Sequence, residues 1–118
     1  MGKEEKILKV LIVEPLKAPY LAEIDGSLES MQKIVGGLIQ VIYPFDDSVA
    51  LVCNDEGKLM GLPLNRLLTD GDGRAYDIIA GTFFLCFAPT DSDSFESLTE
   101  EQINKYTEYY KDQMVIGV

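Results

Sequence analysis

Histidine is absent from the chain, and so is tryptophan. Without histidine the usual general base near neutral pH and the commonest metal ligand are missing. No Ser–His or Cys–His nucleophile pair can be assembled. A glycosidase needs only two carboxylates, but nothing marks such a pair among the many acids, and a chain without tryptophan offers little for a sugar to stack on. Cysteine is scarce as well. Cys53 and Cys86 form no C-x-x-C pair, which removes the zinc and dithiol motifs. Each lies in an apolar run, "VALVCN" and "FFLCFA", where a buried free thiol is expected. Basic residues number 10 against 20 acidic ones, giving a net charge of −10. That balance weighs against contact with nucleic acid or anionic lipid, both of which are bound by Lys and Arg releasing counterions. No apolar run reaches membrane-span length, and the start of the chain shows no secretory or myristoylation pattern. A cytoplasmic protein is expected, with no cofactor and no metal.

What is present is enough for a core. The chain has 118 residues, 47% of them hydrophobic, which suits a single domain over 1–118. "KILKVLIVEP" reads as a strand stopped by Pro15, and "KAPYLAEID" as its hairpin partner. "DGSLESMQKIVGG" reads as a helix capped by Asp25 or Ser27, with Leu28, Met31 and Val35 on one face and Gly36–Gly37 at its end. "LIQVIYPF" and "VALVCN" follow as strands, and "NDEG" as a tight turn with Gly57 at positive φ. "KLMGLPLNRLL" reads as an irregular crossing. "AYDIIAGTFFLCFAP" is the strongest apolar run, one strand with a bulge or close approach at Gly81. A last helix should run from about Leu98 to Met114, opened by the capping-box spacing Thr99–Gln102 or Ser97–Glu100. Ile103, Tyr106, Tyr110 and Met114 form its apolar stripe. The order of elements predicts an α+β fold of β-grasp type: a mixed sheet with a crossing helix, a C-terminal helix, and the last strand beside the first. A ferredoxin-like sandwich is the alternative.

The acid-rich loops do not build known motifs. Counted from Asp70, the fifth, sixth and twelfth positions of a calcium loop would be Arg74, Ala75 and Gly81; counted from Asp91 they would be Phe95, Glu96 and Gln102. Neither supplies the required ligands. The phosphate loop, the dinucleotide fingerprint and the G-x-S-x-G elbow are all absent. The chain is therefore expected not to be an enzyme.

Binding candidates remain. In "GLPLNRLL", Asn65 can close a turn and Arg66 can pair with Asp77 or Asp70. The competing reading is a site for a peptide or small anion near Asn65, Arg66, Tyr76 and Asp77. The position of the segment between two strands favours Asn65 and Arg66 fixing a crossing to the sheet. Tyr109, off the stripe of the last helix, is the candidate for an exposed contact.

Taken together, "YPFDD", "GLPLNR" and "YDIIAGTFF" resemble a family of small uncharacterised proteins classed only as a domain of unknown function, from gut Firmicutes and their phages, plasmids and conjugative elements. The similarity runs from about Lys9 to Tyr106. It implies a cytoplasmic accessory protein of mobile-element origin and carries over no activity, cofactor or site residue. The expectation is a protein-interaction module, monomeric or homodimeric, whose acidic surface inhibits a host nucleic-acid enzyme. The alternative is a small-ligand domain with its pocket near "GLPLNR".

Overall fold

The β-branched run after Lys6 forms β1 (Ile7–Val13), and Pro15, which has no N–H to offer a ladder, follows its end. The computed structural model describes residues 6–113. β1 turns back into β2 (Tyr20–Asp25), pairing in register from Ile7 opposite Asp25 to Ile12 opposite Tyr20. Helix α1 (Leu28–Val35) begins where the Ser27 hydroxyl accepts the Ser30 N–H at 3.1 Å. It ends at Gly36, whose φ of 84° lets its N–H reach the Gln32 carbonyl at 2.8 Å. Met31 and Val35 are buried, while Leu28 is exposed. β3 (Ile39–Ile42) and β4 (Val49–Asn54) form a second hairpin.

The expected single strand of Ala75–Pro89 is two. β6 (Ala75–Ala80) and β7 (Phe83–Phe87) belong to different sheets, and the chain changes sheet at Gly81. Gly81 has φ 91°, and a Cβ there would lie 2.7 Å from Leu62 Cδ1. Both facts require glycine. The expected irregular crossing is likewise regular over β5 (Leu64–Thr69), which pairs with β6 as a two-stranded ribbon. Gly57 is not at positive φ. Its need for glycine is space, because a Cβ would collide with the carbonyl oxygen of Ala80.

β7 inserts between the two hairpins, giving a five-stranded sheet in the order β2-β1-β7-β4-β3. Leu85 stands opposite both Leu11 and Leu51. The fold is α+β, with the last strand central beside the first. Every pairing is antiparallel, however, where a mixed β-grasp sheet was expected. The reason is the ribbon: between β4 and β7 the chain folds back on itself instead of making the long crossover that parallel pairing needs.

Both faces of the sheet are covered. Met31 and Val35 of α1 pack with Leu8, Val10, Val52 and Phe84 on one face. On the other, Leu11, Val13, Leu51, Phe83 and Leu85 meet Leu68 and Ile79 of the ribbon. Tyr106 and Tyr110 of α2 (Glu100–Lys111) join that second cluster. α2 opens with a full capping box, Thr99 with Gln102. Met114, expected as the last member of its stripe, lies outside the described residues. Where β1 and β7 splay apart, residues 96–98 bridge them: Leu98 N–H donates to the Lys9 carbonyl at 3.0 Å, and Phe87 and Glu96 exchange backbone bonds. No described helix is long and apolar enough to cross a membrane.

Gly57→Ala and Gly81→Ala should each lower stability by about 2 kcal/mol, through collision and backbone strain. Gly71→Ala, with open space around it and no positive φ, should stay within about 0.5 kcal/mol of the parent. Urea midpoints of the three variants check this.

Candidate functional site

Asn65 and Arg66 are neighbours in one strand, yet both are fully buried. A regular strand would send one of them outward. The β5–β6 register slips between Leu64 and Arg66, and a bulge of this kind re-aims consecutive side chains. The Asn65 amide donates to the carbonyls of Val13 at 2.9 Å and Gly81 at 2.8 Å, tying the ribbon to β1 and to the corner before β7. Arg66 spreads its donors over three parts of the chain. Nε reaches the Tyr110 carbonyl at 3.0 Å, Nη2 the Lys17 carbonyl at 2.8 Å, and Nη1 the Asn65 Oδ1 at 2.9 Å, with the Glu14 carbonyl at 3.5 Å. Burial lowers its pKa from the ordinary guanidinium value, and it stays charged because that value is so high.

The expected pairing of Arg66 with Asp77 or Asp70 is not formed. The ribbon register sets Asp77 opposite Leu68, away from Arg66, and its carboxylate meets Lys58. Asp70 instead closes the β5–β6 turn, accepting the N–H groups of Asp72 and Arg74 at 2.9 and 3.0 Å. An anion site at Asn65–Arg66 has no access from solvent. The structure thus separates the sequence candidates: Asn65 and Arg66 lie inside, while Tyr76 and Asp77 stand on the surface of β6. Tyr109 is half-buried rather than a free contact. Its hydroxyl lies 2.9 Å from Thr69 Oγ1, and its ring meets Tyr110 edge-on at 4.8 Å.

Tyr76 and Tyr109 do come together, in a cleft. Two hollows adjoin, sharing Tyr43, Pro44 and Tyr76. The first, about 450 Å³, lies between β3, β6 and the 55–59 turn, with Cys53 and Leu68 on its lining. The Lys58–Asp77 ion pair joins that turn to β6. The second, about 740 Å³, lies between the ribbon, the β3–β4 turn and α2. Tyr43, Phe45, Tyr76, Tyr106 and Tyr109 give it an aromatic lining, and Asp46, Asp70 and Glu108 give it acids. Tyr43 and Tyr76 are each 60% exposed.

The charges there are unbalanced. Among the described residues, Lys105 is the one cation lining the second hollow. It is engaged already, 3.5 Å from Asp47 and 5.1 Å above the Tyr106 ring. Glu108 pairs with Lys111. Asp46 has no cationic partner among the described residues. The Tyr106 hydroxyl donates to Asp47 at 2.6 Å, which fastens α2 to the β3–β4 turn. Burial, and then the Asp47 bond, push Tyr106 far above the ordinary phenol value, and burial does the same to Tyr110. Burial also pushes the Cys53 thiol up to about 11 and that of Cys86 to about 12. These are the opposite of activated nucleophiles. No group of three metal-ligating side chains is present among the described residues.

Residues 8–111 match a family described as a domain of unknown function, DUF3846. The chain belongs to that family. No curated protein and no solved structure matches it.

The parts of this DUF3846 domain that sequence reasoning missed are Tyr43, Phe45, Asp46 and Lys105. A signal existed in "YPFDD", where an uncharged strand stops at Pro44 and two acids follow. Lys58 was missed as the partner of Asp77 because the pair spans 19 residues.

Replacing Arg66 by Met should cost about 3 kcal/mol or more, since it strands carbonyls from several segments without donors. Arg66→Lys should cost about 2 kcal/mol, because an ammonium cannot reproduce the fork. Urea unfolding checks both. A second expectation concerns alkali. The thiols and Tyr106 and Tyr110 all hold their protons more tightly folded than unfolded. Above the ordinary thiol value of 9.0 the unfolded chain therefore loses protons first. The melting temperature should fall as pH rises through and beyond that point, as a series of melts from pH 7 to pH 11 would show.

Proposed function

We propose that this DUF3846 domain is a non-catalytic protein-binding module that receives a basic segment of a partner in its tyrosine-lined cleft. The observation that supports it best is the cleft's make-up: exposed Tyr43 and Tyr76 beside Asp46, whose carboxylate has no cationic partner among the described residues. Tyrosine is a typical interface residue, and its ring face attracts Lys and Arg. The surplus of 20 acids over 10 basic residues extends the same preference over the surface and speeds encounter with a positively charged partner. The partner class this favours is a nucleic-acid enzyme of the host, whose basic groove an acidic domain can occupy. The resemblance to accessory proteins of mobile elements in the cytoplasm agrees with that role. Burial of Asn65 and Arg66 argues against a small-anion pocket at "GLPLNR".

The test is retention of host proteins on the immobilised domain at about 50 mM salt, followed by elution at higher salt, where screening weakens charge contacts. Nucleic-acid-binding proteins should be retained. The combined Tyr43→Ala, Tyr76→Ala and Asp46→Asn variant should lower retention by about tenfold, as loss of aromatic anchors does. Retention of nothing at low salt, or of the same set by the variant, would sink the proposal.

A further inference from the structure

Among the described residues the outer edges of β2 and β3 in the sheet, and of β5 and β6 in the ribbon, have no strand beside them, and the chain treats β2, β6 and β3 differently. β2 carries Glu23 and Asp25, charges that discourage another strand from adding. On β6, the Asp77 carboxylate accepts the Ile78 N–H at 2.8 Å and holds Lys58 against it. β3 has no such guard. From Leu38 to Phe45 there is no charged side chain, in a chain that is 25% charged. The Asp55 N–H donates to the Leu38 carbonyl at 2.8 Å. With Ile39 opposite Asn54 and Val41 opposite Val52, that bond makes Leu38, Gln40 and Ile42 the residues bonded to β4. Ile39 and Val41 therefore turn their N–H and C=O groups outward. Pro44, with no N–H, follows the strand.

We infer that β3 is a docking strand: an extended, basic segment of a partner protein adds antiparallel or parallel to its outer edge and continues the sheet to a sixth strand. The inference rests on the reading of the cleft as a site for a basic segment, and gives that segment its conformation. Gln40 and Ile42 line the first hollow. Every second residue of an added strand lies on that same face, beside the hollow, so backbone bonds supply affinity and alternate side chains supply selectivity. Charge chooses the occupant. Asp46 and Asp47 follow β3, and Asp55 lies beside its start, bonded to Leu38. A second copy of this chain, also at −10, would bring like charges together along a paired β3. A segment with Lys or Arg at alternate positions meets acids at both ends.

The test uses the full-length domain and a twelve-residue peptide of alternating Val and Arg, with an alternating Val and Glu peptide as its control. Amide hydrogen exchange and chemical shifts are read by NMR. The Val–Arg peptide should slow exchange of the Ile39 and Val41 amides by about tenfold or more, and the Val–Glu peptide should leave them unchanged. Val41→Pro removes an outward donor at a sheet edge, where proline is tolerated. It should weaken peptide binding by about tenfold with little change in melting temperature. Gln40→Lys, at an exposed position, should act in the same direction and serves if the proline variant unfolds. Shifts at Tyr43, Tyr76 and Tyr109 with unchanged exchange at Ile39 and Val41 would overturn strand addition and leave the cleft reading standing. No shift at either place would overturn both. Protection of Ile39 and Val41 without peptide, together with a dimer mass in sedimentation, would assign the edge to a second copy and overturn the basic partner.

Discussion

A guanidinium with no solvent access, and with no carboxylate beside it among the described residues, holds three distant parts of this chain together. Burying a charge costs several kcal/mol unless its donors are met, and Arg66 meets that cost with backbone carbonyls. One belongs to Tyr110, in the last turn of α2, where unsatisfied carbonyls and the negative end of the helix dipole suit a cation. The others belong to Glu14 and Lys17 in the connection between β1 and β2. Asn65 completes the set by accepting from Arg66 while donating to Val13 and Gly81. Remove the pair, and the ribbon, the helix and the first hairpin lose their common fastening.

The cleft inherits its shape from that fastening. α2 forms its far wall and is held near its C-terminal end by Arg66 and at Tyr106 by Asp47. The ribbon forms another wall and is anchored by Asn65. Tyr109 joins the two walls through Thr69. The aromatic side chains exposed there are thus carried on elements fixed at several points. A site of this kind presents itself already formed, and little ordering of the domain is needed when something enters.

Much of this was legible in the sequence where local rules govern. The caps of both helices, the glycine ending α1, the buried tyrosine stripe of α2 and the two free thiols follow from spacing and residue type. So does the pairing of the last strand with the first. Errors arose where a tertiary contact decided. "GLPLNRLL" has no clean alternation because a bulge turns Asn65 and Arg66 inward together. One glycine splits an unbroken apolar run between two sheets, and periodicity cannot see a change of partner. Gly57 was read as a dihedral requirement, while the constraint is the carbonyl of Ala80. Pairing of Arg66 with an acid was the natural expectation in an acid-rich chain, yet carbonyls supplied the partners. The cleft draws on Tyr43, Tyr76 and Tyr109, separated by more than thirty positions at each step, so no local window could assemble it.

The central position of β7 has a consequence for how the molecule is made. Both hairpins, β1–β2 and β3–β4, pair locally along the chain. Neither can join the other until residues 83–87 arrive to sit between them. The backbone carbonyls that Arg66 meets lie 44 to 52 positions away, and one of them is on the last helix. During synthesis the nascent chain therefore carries two hairpin segments that are marginal on their own, and an arginine whose helix partner has not yet been made. Such long-range closure is slow, and exposed strand edges invite misassociation while it waits. The high negative charge, whatever it later meets, keeps neighbouring nascent chains apart during that interval.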